Sequence, residues 1–209
     1  MRSEHERLAP IDILRHEHAL VERVIAAMER ETRTARERGR VNGAAVRQMI
    51  DFAQGFTDGC HHLKEERLLF ARLRQRDAST EAPTRALEHE HESGRSFVRS
   101  LVEHLPAAQA EDARASRTVI DALTAYAELL RGHIAKEDAV LFPMAERLLE
   151  ESDAEFLTHE FEQVEREETG AGVHEKYEAL AHEISGEAFG EAESHAHAGD
   201  DRHPSDLAR

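Results

Sequence analysis

The chain has 209 residues and a formal charge of −16 at pH 7, so its length favours one main domain with an appended terminal piece. The acidic charge argues against nucleic acid as a partner, because binding to phosphates relies on Lys and Arg. One cysteine excludes an intramolecular disulfide, and no signal segment or apolar stretch of about 18 residues is evident. We therefore expect a cytoplasmic protein without membrane contact.

The composition favours helices along the whole chain. Ala, Glu, Arg and Leu are heavily used, 33% of the residues are charged, and only five are Pro. No segment has the pattern of a β-strand. We predict an all-α fold, an antiparallel up-down-up-down four-helix bundle with a short C-terminal helical extension.

The first two predicted helices each place a histidine on their apolar side. Pro10 suits the start of the first helix, whose apolar stripe at three-or-four spacing includes His18. The second helix runs from about Ala44 to Arg74 and carries His61 and Glu65. Because residues four apart on a helix are neighbours on one face, this pair forms a clamp.

The third and fourth predicted helices repeat this arrangement. The third begins near Pro83 and is closed by Pro106, with His91 at the centre of its apolar stripe. The fourth, from about residue 112 to 149, carries a second clamp formed by His133 and Glu137.

Pro143 lies inside the fourth predicted helix. A proline there removes one backbone hydrogen bond, so we predict a bend about a turn past Glu137 and no break.

The rest of the chain is predicted to form two shorter helices and a tail. A capping box at Ser152–Glu155 opens a fifth helix with Phe156, His159 and Val164 as apolar markers. Glycines at 170 and 172 end it, and a short helix follows from about 173 to 184. Beyond Gly186 the sequence is polar and is predicted to be disordered. The predicted domains are a bundle (1–150), a helical extension packing on it (151–185) and the tail (186–209).

An internal repeat contains both clamps. Residues Cys60–Phe70 align without a gap with Gly132–Phe142. Both copies have a histidine, then Lys-Glu at the third and fourth positions after it, then an acidic residue and a final Leu-Phe. Two such histidine–glutamate pairs facing each other would form a suitable binding site for a pair of metal ions.

The stripe residues form a candidate metal site. A single histidine on an apolar face is more often a hydrogen-bonded core residue than a ligand, but four at matching depth reverse that expectation. Two buried carboxylates also need compensating positive charge. Imidazole and carboxylate ligands suit iron, manganese or zinc. The candidate ligands are His18, His61, Glu65, His91, His133 and Glu137.

Four motifs together resemble a known family. They are Glu17-His18, the segment His61–Phe70, the segment Glu90–Arg95 and the segment His133–Pro143. As a set they resemble bacterial hemerythrin-like, HHE cation-binding domains. The resemblance implies a bundle that holds two non-haem iron ions in a carboxylate- or oxo-bridged centre. It implies that Glu65 and Glu137 bridge the ions, and that His18, His61, His91 and His133 are terminal ligands.

The sequence departs from the oxygen-carrying hemerythrins on the third helix. Those proteins have a His-x-x-x-His pair there, whereas the residue four positions after His91 is Arg95. One imidazole is therefore missing, which predicts an open position at the centre. Such a position suits reaction with peroxide, nitric oxide or oxygen, or exchange of iron, better than stable oxygen carriage.

Residues beside the clamps have plainer interpretations. We expect His62 to face outward or to hydrogen-bond a carboxylate such as Glu66. A role as a metal ligand is the less favoured alternative. Lys64 and Lys136, which match in the repeat, are expected to form solvated salt bridges. Tyr126 is expected to fill core and Cys60 to be a buried small residue, with exposed or end-covering roles for His159 and His174.

Three functions remain open from the sequence. The first is a di-iron protein that binds, senses or decomposes small oxidants such as peroxide, nitric oxide or oxygen. The second is a non-catalytic carrier of oxygen or iron, for example an iron donor for damaged metal sites. The third is a helical bundle without metal, whose histidines are satisfied by hydrogen bonds.

Overall fold

The computed structural model describes residues 9–170 and 172–186, with the backbone alone for 167–169. All regular structure in this part of the chain is helical, and the predicted all-α fold is confirmed. No helix within the described ranges is both long enough and apolar enough to cross a membrane. The tail predicted to be disordered lies outside the described residues, apart from Gly186.

Four long helices form an antiparallel bundle. The connections between them, residues 39–42, 77–80 and 110–112, are short, so consecutive helices run in opposite directions and pack side by side. The four bundle helices span Pro10–Arg38, residues 43–76, Glu81–Gln109 and residues 113–148.

Local sequence signals set most of these boundaries. Pro10 occupies the first helical position, and Gly39, with a φ of 69°, ends the first helix in the left-handed conformation that glycine adopts without a Cβ clash. The side chain of Asn42 accepts hydrogen bonds from two amides of the second helix. Asp112 does the same for the amide of Ala115 in the fourth helix.

The third helix does not stop at Pro106, so that prediction is wrong. The helix continues to Gln109, and the amide of Ala110 still donates to the carbonyl oxygen of Pro106 at 3.2 Å. A proline lacks one N–H donor, but its carbonyl oxygen still closes the following turn. One missing bond so near the end of a 29-residue helix does not terminate it.

The second and fourth helices contain π-helical segments at matching places, Glu65–Leu69 and Glu137–Leu141. The second helix has a further π-helical segment, Ala53–His62, whose equivalent in the fourth helix is α-helical. Short π-helical turns inside α-helices are often found at functional sites. Pro143 lies in the first turn of the α-helical segment Phe142–Leu148. The helix passes through it without a break, as predicted, and the bend stays a prediction.

The fifth helix, Glu151–Gln163, begins differently from the prediction. Its capping box pairs Glu150 with Asp153 and does not use residues 152 and 155. Asp153 is the better partner because its carboxylate is also held by Arg72 at 3.1 Å and Arg76 at 2.7 Å. These contacts anchor the helix to the second bundle helix.

The apolar face of the fifth helix was also assigned wrongly. Phe156 is 43% exposed and His159 is exposed, whereas Leu157 and Phe161 are fully buried. Val164, the third predicted marker, is buried. The arginine side chain of Arg72 lies over the ring of Phe156 at 4.7 Å, which explains why that ring stays at the surface.

A π-helical segment, Val164–Gly170, leads to the last described helix, Val173–Ser185, which packs on the first and second helices. Tyr177 anchors this contact. Its ring packs against Phe52 and Phe56, and its hydroxyl donates to Asp51 at 3.3 Å. The backbone of Gly55 lies so close that a Cβ there would be 1.7 Å from the Tyr177 hydroxyl oxygen.

The apolar core has two parts, with the predicted metal ligands between them along each helix. One part includes Leu20, Phe56, Val98 and Leu130, and the other includes Leu14, Phe70, Leu87 and Phe142. Burying a large apolar side chain stabilises the fold by about 1.5–3 kcal/mol. The bundle is thus held on both sides of a polar middle layer.

Candidate metal centre

The structure brings the six predicted ligands together in two groups that share Glu65. All members of both groups are buried, and within each group the potential ligand atoms lie within 4.8 Å of one another. The His18 group consists of His18, His61, Glu65 and Glu137, and the His91 group consists of His62, Glu65, His91 and His133.

Both glutamates lie between a histidine of one group and a histidine of the other. In Glu65, Oε1 is 3.6 Å from Nε2 of His61 and Oε2 is 3.5 Å from Nε2 of His91. In Glu137, Oε2 is 3.1 Å from Nε2 of His18 and 3.2 Å from Nε2 of His133. Each carboxylate is therefore placed to bridge two cations.

A second layer of carboxylates orients the imidazoles. An ionised carboxylate only accepts hydrogen bonds, so Nδ1 carries a proton and Nε2 is the nitrogen that faces the site and can bind a metal ion. This is the orientation that metal-bound histidines have. The Nδ1 contacts are His18 to Asp138 (3.0 Å), His61 to Glu17 (2.8 Å), His91 to Glu66 (2.7 Å) and His133 to Glu90 (3.1 Å).

These contacts give the centre an approximate twofold symmetry. Glu17, just before His18, accepts from His61 and Lys64 of the second helix. In the same way Glu90, just before His91, accepts from His133 and Lys136 of the fourth helix. Glu66 directly follows Glu65 and accepts from His91 of the third helix, and Asp138 directly follows Glu137 and accepts from His18 of the first.

The final Leu-Phe of each repeat completes the symmetry. The ring of Phe142 stacks on His18 at 5.1 Å between centroids, and the ring of Phe70 stacks on His91 at 6.0 Å. The shared histidine, lysine, acidic and phenylalanine positions therefore each have a contact at the centre, whereas the shared leucines, Leu69 and Leu141, belong to the apolar core.

The polar layer contains atoms that the described residues leave without hydrogen bonds. They are both carboxylate oxygens of Glu65, Oε1 of Glu137 and Nδ1 of His62. In addition, Nε2 of His91 and Nε2 of His133 face each other at 2.9 Å. Orphaned buried polar atoms cost about 1–3 kcal/mol each. Cations between the two groups would satisfy the oxygens and the facing nitrogens, so the residues fit a pair of metal ions.

The protonation pattern of the bare site supports this fit. Burial and the adjacent Glu137 carboxylate raise the pKa of Glu65 well above its usual range. Burial opposes ionisation of Glu137, but His133 and His18 outweigh it and lower its pKa. Burial likewise opposes a charge on His133, yet Glu137 raises its pKa. The pKa values of the two neighbouring carboxyl groups are thus pushed in opposite directions, because together they lack enough positive charge, which cations between the two groups would supply.

Lys64 does not form a solvated salt bridge, so this expectation is wrong for one of the two lysines. Lys64 is 0% exposed and donates to Glu17 and, at 2.6 Å, to Glu165. Glu165 belongs to the π-helical segment after the fifth helix, which covers this side of the bundle. Although burial opposes it, His61 and Lys64 lower the pKa of Glu17 to about 2. The side chain of Lys136 is 53% exposed, as expected.

His62 neither faces outward nor bonds Glu66, so that expectation is also wrong. It is 3% exposed, and its ring stacks on His91 at 3.7 Å and 11°. The cause is the π-helical segment Ala53–His62, in which more residues make up each turn and successive side chains diverge less than in an α-helix. Gly59 is the residue in the sequence that indicates this unusual backbone, because an added Cβ there would lie only 2.9 Å from the carbonyl oxygen of Gln54.

A cavity of about 190 Å³ leads to the His91 group. His62 and His91 lie in its wall, and Arg95, Arg99 and Tyr126 are also part of the lining. Arg95 donates to Asp58 at 2.8 Å and to Glu66 at 2.7 Å, so the residue four positions after His91 fixes the carboxylate that accepts from His91.

The remaining predictions concern residues near the centre. Tyr126 is buried in the core, as expected, and burial raises the pKa of its hydroxyl. Cys60 is buried, and burial raises the pKa of its thiol to about 12, so it is not a thiolate at neutral pH. His174 is partly exposed, with Nδ1 3.8 Å from Glu165 near the buried Lys64.

Fold and site together define a helical-bundle protein with buried clusters of histidine and glutamate that are suited to metal ions. Residues 9–145 match the hemerythrin HHE cation binding domain, and the chain belongs to this family.

Similar curated proteins come from mycobacteria. One uncharacterized protein of Mycobacterium bovis and two of Mycobacterium tuberculosis strains are each 25% identical to this chain over 162 residues. The match covers 78% of this chain and 63% of each relative, so the chain spans less than two thirds of their length. No solved structure matches the chain.

Proposed function

We propose that the protein holds two iron ions between the His18 and His91 groups and uses them to bind and react with small oxidants such as peroxide, nitric oxide or oxygen. The observation that carries this proposal is the placement of Glu65 and Glu137, each between one histidine of either group. Two carboxylates shared in this way suit a pair of ions rather than a single one.

The choice of iron rests on the ligand set. Imidazole and carboxylate donors in a buried site suit iron, manganese or zinc, and the described part of the site offers no thiolate. The uncharged imidazoles outnumber the carboxylates, so the site balances less of the cations' charge than a carboxylate-rich ferritin-type centre would. A centre of this kind favours reversible changes of iron oxidation state.

The cavity supports a small reactant. Its volume of about 190 Å³ accommodates a molecule of a few atoms, and its wall includes two members of the His91 group. Bound iron would supply the electron exchange with an oxidant. The residues of the chain hold the site in shape: Glu17, Glu66, Glu90 and Asp138 fix the imidazole rings, while Phe70 and Phe142 exclude water.

The test is iron content together with an optical spectrum on protein purified in air, followed by addition of hydrogen peroxide. We expect about two irons per chain, as in dinuclear sites generally, and a spectrum that changes with peroxide and then recovers as peroxide is consumed. Glu137→Ala should lose most of the iron. Glu128→Ala, on the same helix but away from the centre, is the matched control and should keep it.

Two other outcomes identify other functions. Iron with a spectrum that peroxide and nitric oxide leave unchanged would favour a carrier or iron donor. Absence of iron from protein expressed with ample iron, or zinc alone, would refute the di-iron proposal.

A further inference from the structure

His62 is where the approximate twofold symmetry of the centre is broken. The repeat places His62 directly after His61 and Ile134 directly after His133. Ile134 is buried among apolar side chains, whereas His62 is buried in the polar layer. The difference therefore adds one imidazole to one side of the centre.

The surroundings of His62 leave one of its ring nitrogens without a hydrogen bond. Only 3% of the residue is exposed, and its Nδ1 has no hydrogen-bond partner among the described residues. The nearby Oδ1 of Asp58 is 3.5 Å away, makes no hydrogen bond with His62, and already accepts from Arg95 at 2.8 Å. Burying a ring nitrogen without a hydrogen bond costs free energy, so a ligand-binding role explains its position better.

The position of His62 also matches a gap in the ligand set. The third helix has Arg95 where the oxygen-carrying hemerythrins have a second histidine. His62 comes from the second helix, yet a potential ligand atom of its ring lies within 4.8 Å of those of Glu65, His91 and His133. It can therefore take the place of the histidine missing from the third helix.

We propose that His62 is a metal ligand in the His91 group and supplies the imidazole that the third helix lacks. This inference rests on one part of the proposed function, the binding of two metal ions. It does not depend on the reaction with oxidants. The centre then has three imidazoles on one side (His62, His91, His133) and two on the other (His18, His61).

The experiment compares metal binding by metal-free wild-type protein and two variants. His62→Ile installs the residue found at the equivalent place in the other repeat. His62→Phe keeps a flat ring to stack on His91 but has no nitrogen, so it controls for packing. Each is titrated with cobalt(II), with stoichiometry and affinity measured by calorimetry and visible absorption, and helical content is checked by circular dichroism.

We expect the wild type to bind about two cobalt ions per chain, as a dinuclear site requires. Both variants should keep one tight ion and bind the second roughly 100-fold or more weakly, beyond the 10–100-fold that loss of an outer hydrogen-bond partner costs. His133→Ala should give the same result, and combining it with His62→Phe should leave the first ion bound. His89→Ile, the same replacement at an exposed histidine of the third helix, should change nothing.

The outcomes separate this inference from the proposed function. Two ions bound with unchanged affinity in a folded His62→Ile or His62→Phe variant would overturn the role of His62 alone. Failure of the wild type to bind two ions would overturn the metal pair and both proposals. Loss of one ion in the variants, together with a wild-type iron protein that does not react with oxidants, would support His62 as a ligand and refute the oxidant chemistry.

Discussion

His61 donates from Nδ1 to Oε2 of Glu17 across 2.8 Å, a contact between neighbouring helices that fixes the imidazole with its other nitrogen towards the centre. Glu17 is itself held by the ammonium group of Lys64. A neutral imidazole and an ammonium group thus both donate to one fully buried carboxylate.

Glu17→Gln should weaken metal binding without removing a ligand. The amide still accepts from His61, but it lacks the charge that makes the imidazole a stronger donor to a cation. We expect a loss of 10- to 100-fold in affinity at the His18 group, measured by metal titration of the metal-free protein. Glu22→Gln, an exposed change on the same helix, should bind metal normally, and an unchanged affinity in Glu17→Gln would contradict the prediction.

Lys64 and Lys136 form a matched pair for testing buried charge. Lys64→Met leaves the carboxylate of Glu17 buried without its cation, so unfolding free energy in urea should fall by about 3–5 kcal/mol. Lys136→Met removes a lysine whose side chain is 53% exposed, and the cost should stay below about 1 kcal/mol. Equal losses in the two variants would show that Lys64 is not buried between carboxylates.

Asp153 should make stability depend on pH. Burial opposes its ionisation, but Arg76 and the amide of Glu150 lower its pKa in the folded state. Its contribution is therefore full above the unfolded pKa of about 3.9 and is lost as pH falls towards the lower folded value.

Asp153→Asn tests this contribution. It should cost about 2 kcal/mol at pH 7, where the carboxylate pairs with both arginines, and progressively less below pH 4. Urea unfolding of both proteins from pH 7 to pH 3 measures the difference. Asp121→Asn, at an exposed position, is the control, and a cost in Asp153→Asn that does not shrink with falling pH would exclude the ionic contribution.

Gly55→Ala should loosen the last helix. The new methyl group would overlap the hydroxyl of Tyr177, which must swing out of its contacts with Phe52 and Phe56. We expect faster amide hydrogen exchange in residues 173–185 with little change in the bundle core. Gly132→Ala meets no atom within 4 Å and should stabilise the fourth helix by about 0.5–1 kcal/mol.

The fold could be predicted from the sequence because apolar residues recur at a regular helical spacing in the four long helices. The connections between those helices are also short and polar. His18, His61, His91 and His133 lie on those stripes, and the structure brings them together with Glu65 and Glu137. Helix ends were less predictable. At Pro106 a single lost hydrogen bond was too small an effect to stop the helix.

The errors beside the centre have a common origin. An assumed α-helical period directs His62 away from the site, whereas the π-helical segment turns it inward. The burial of Lys64 depends on Glu165, about a hundred residues further along the chain and on a segment outside the four bundle helices. Neither effect is visible in local spacing.

The repeated contacts make each half of the bundle one copy of the same unit, and each copy completes the site of the other. The hairpin of the first two helices contributes one Glu-His pair and one clamp, and the hairpin of the last two contributes the same. Two copies of a single hairpin would reproduce this pattern of contacts, but they would have to share one sequence. Joining both in one chain allows the two copies to differ. They do differ: His62 corresponds to Ile134, and the buried Lys64 corresponds to the exposed Lys136.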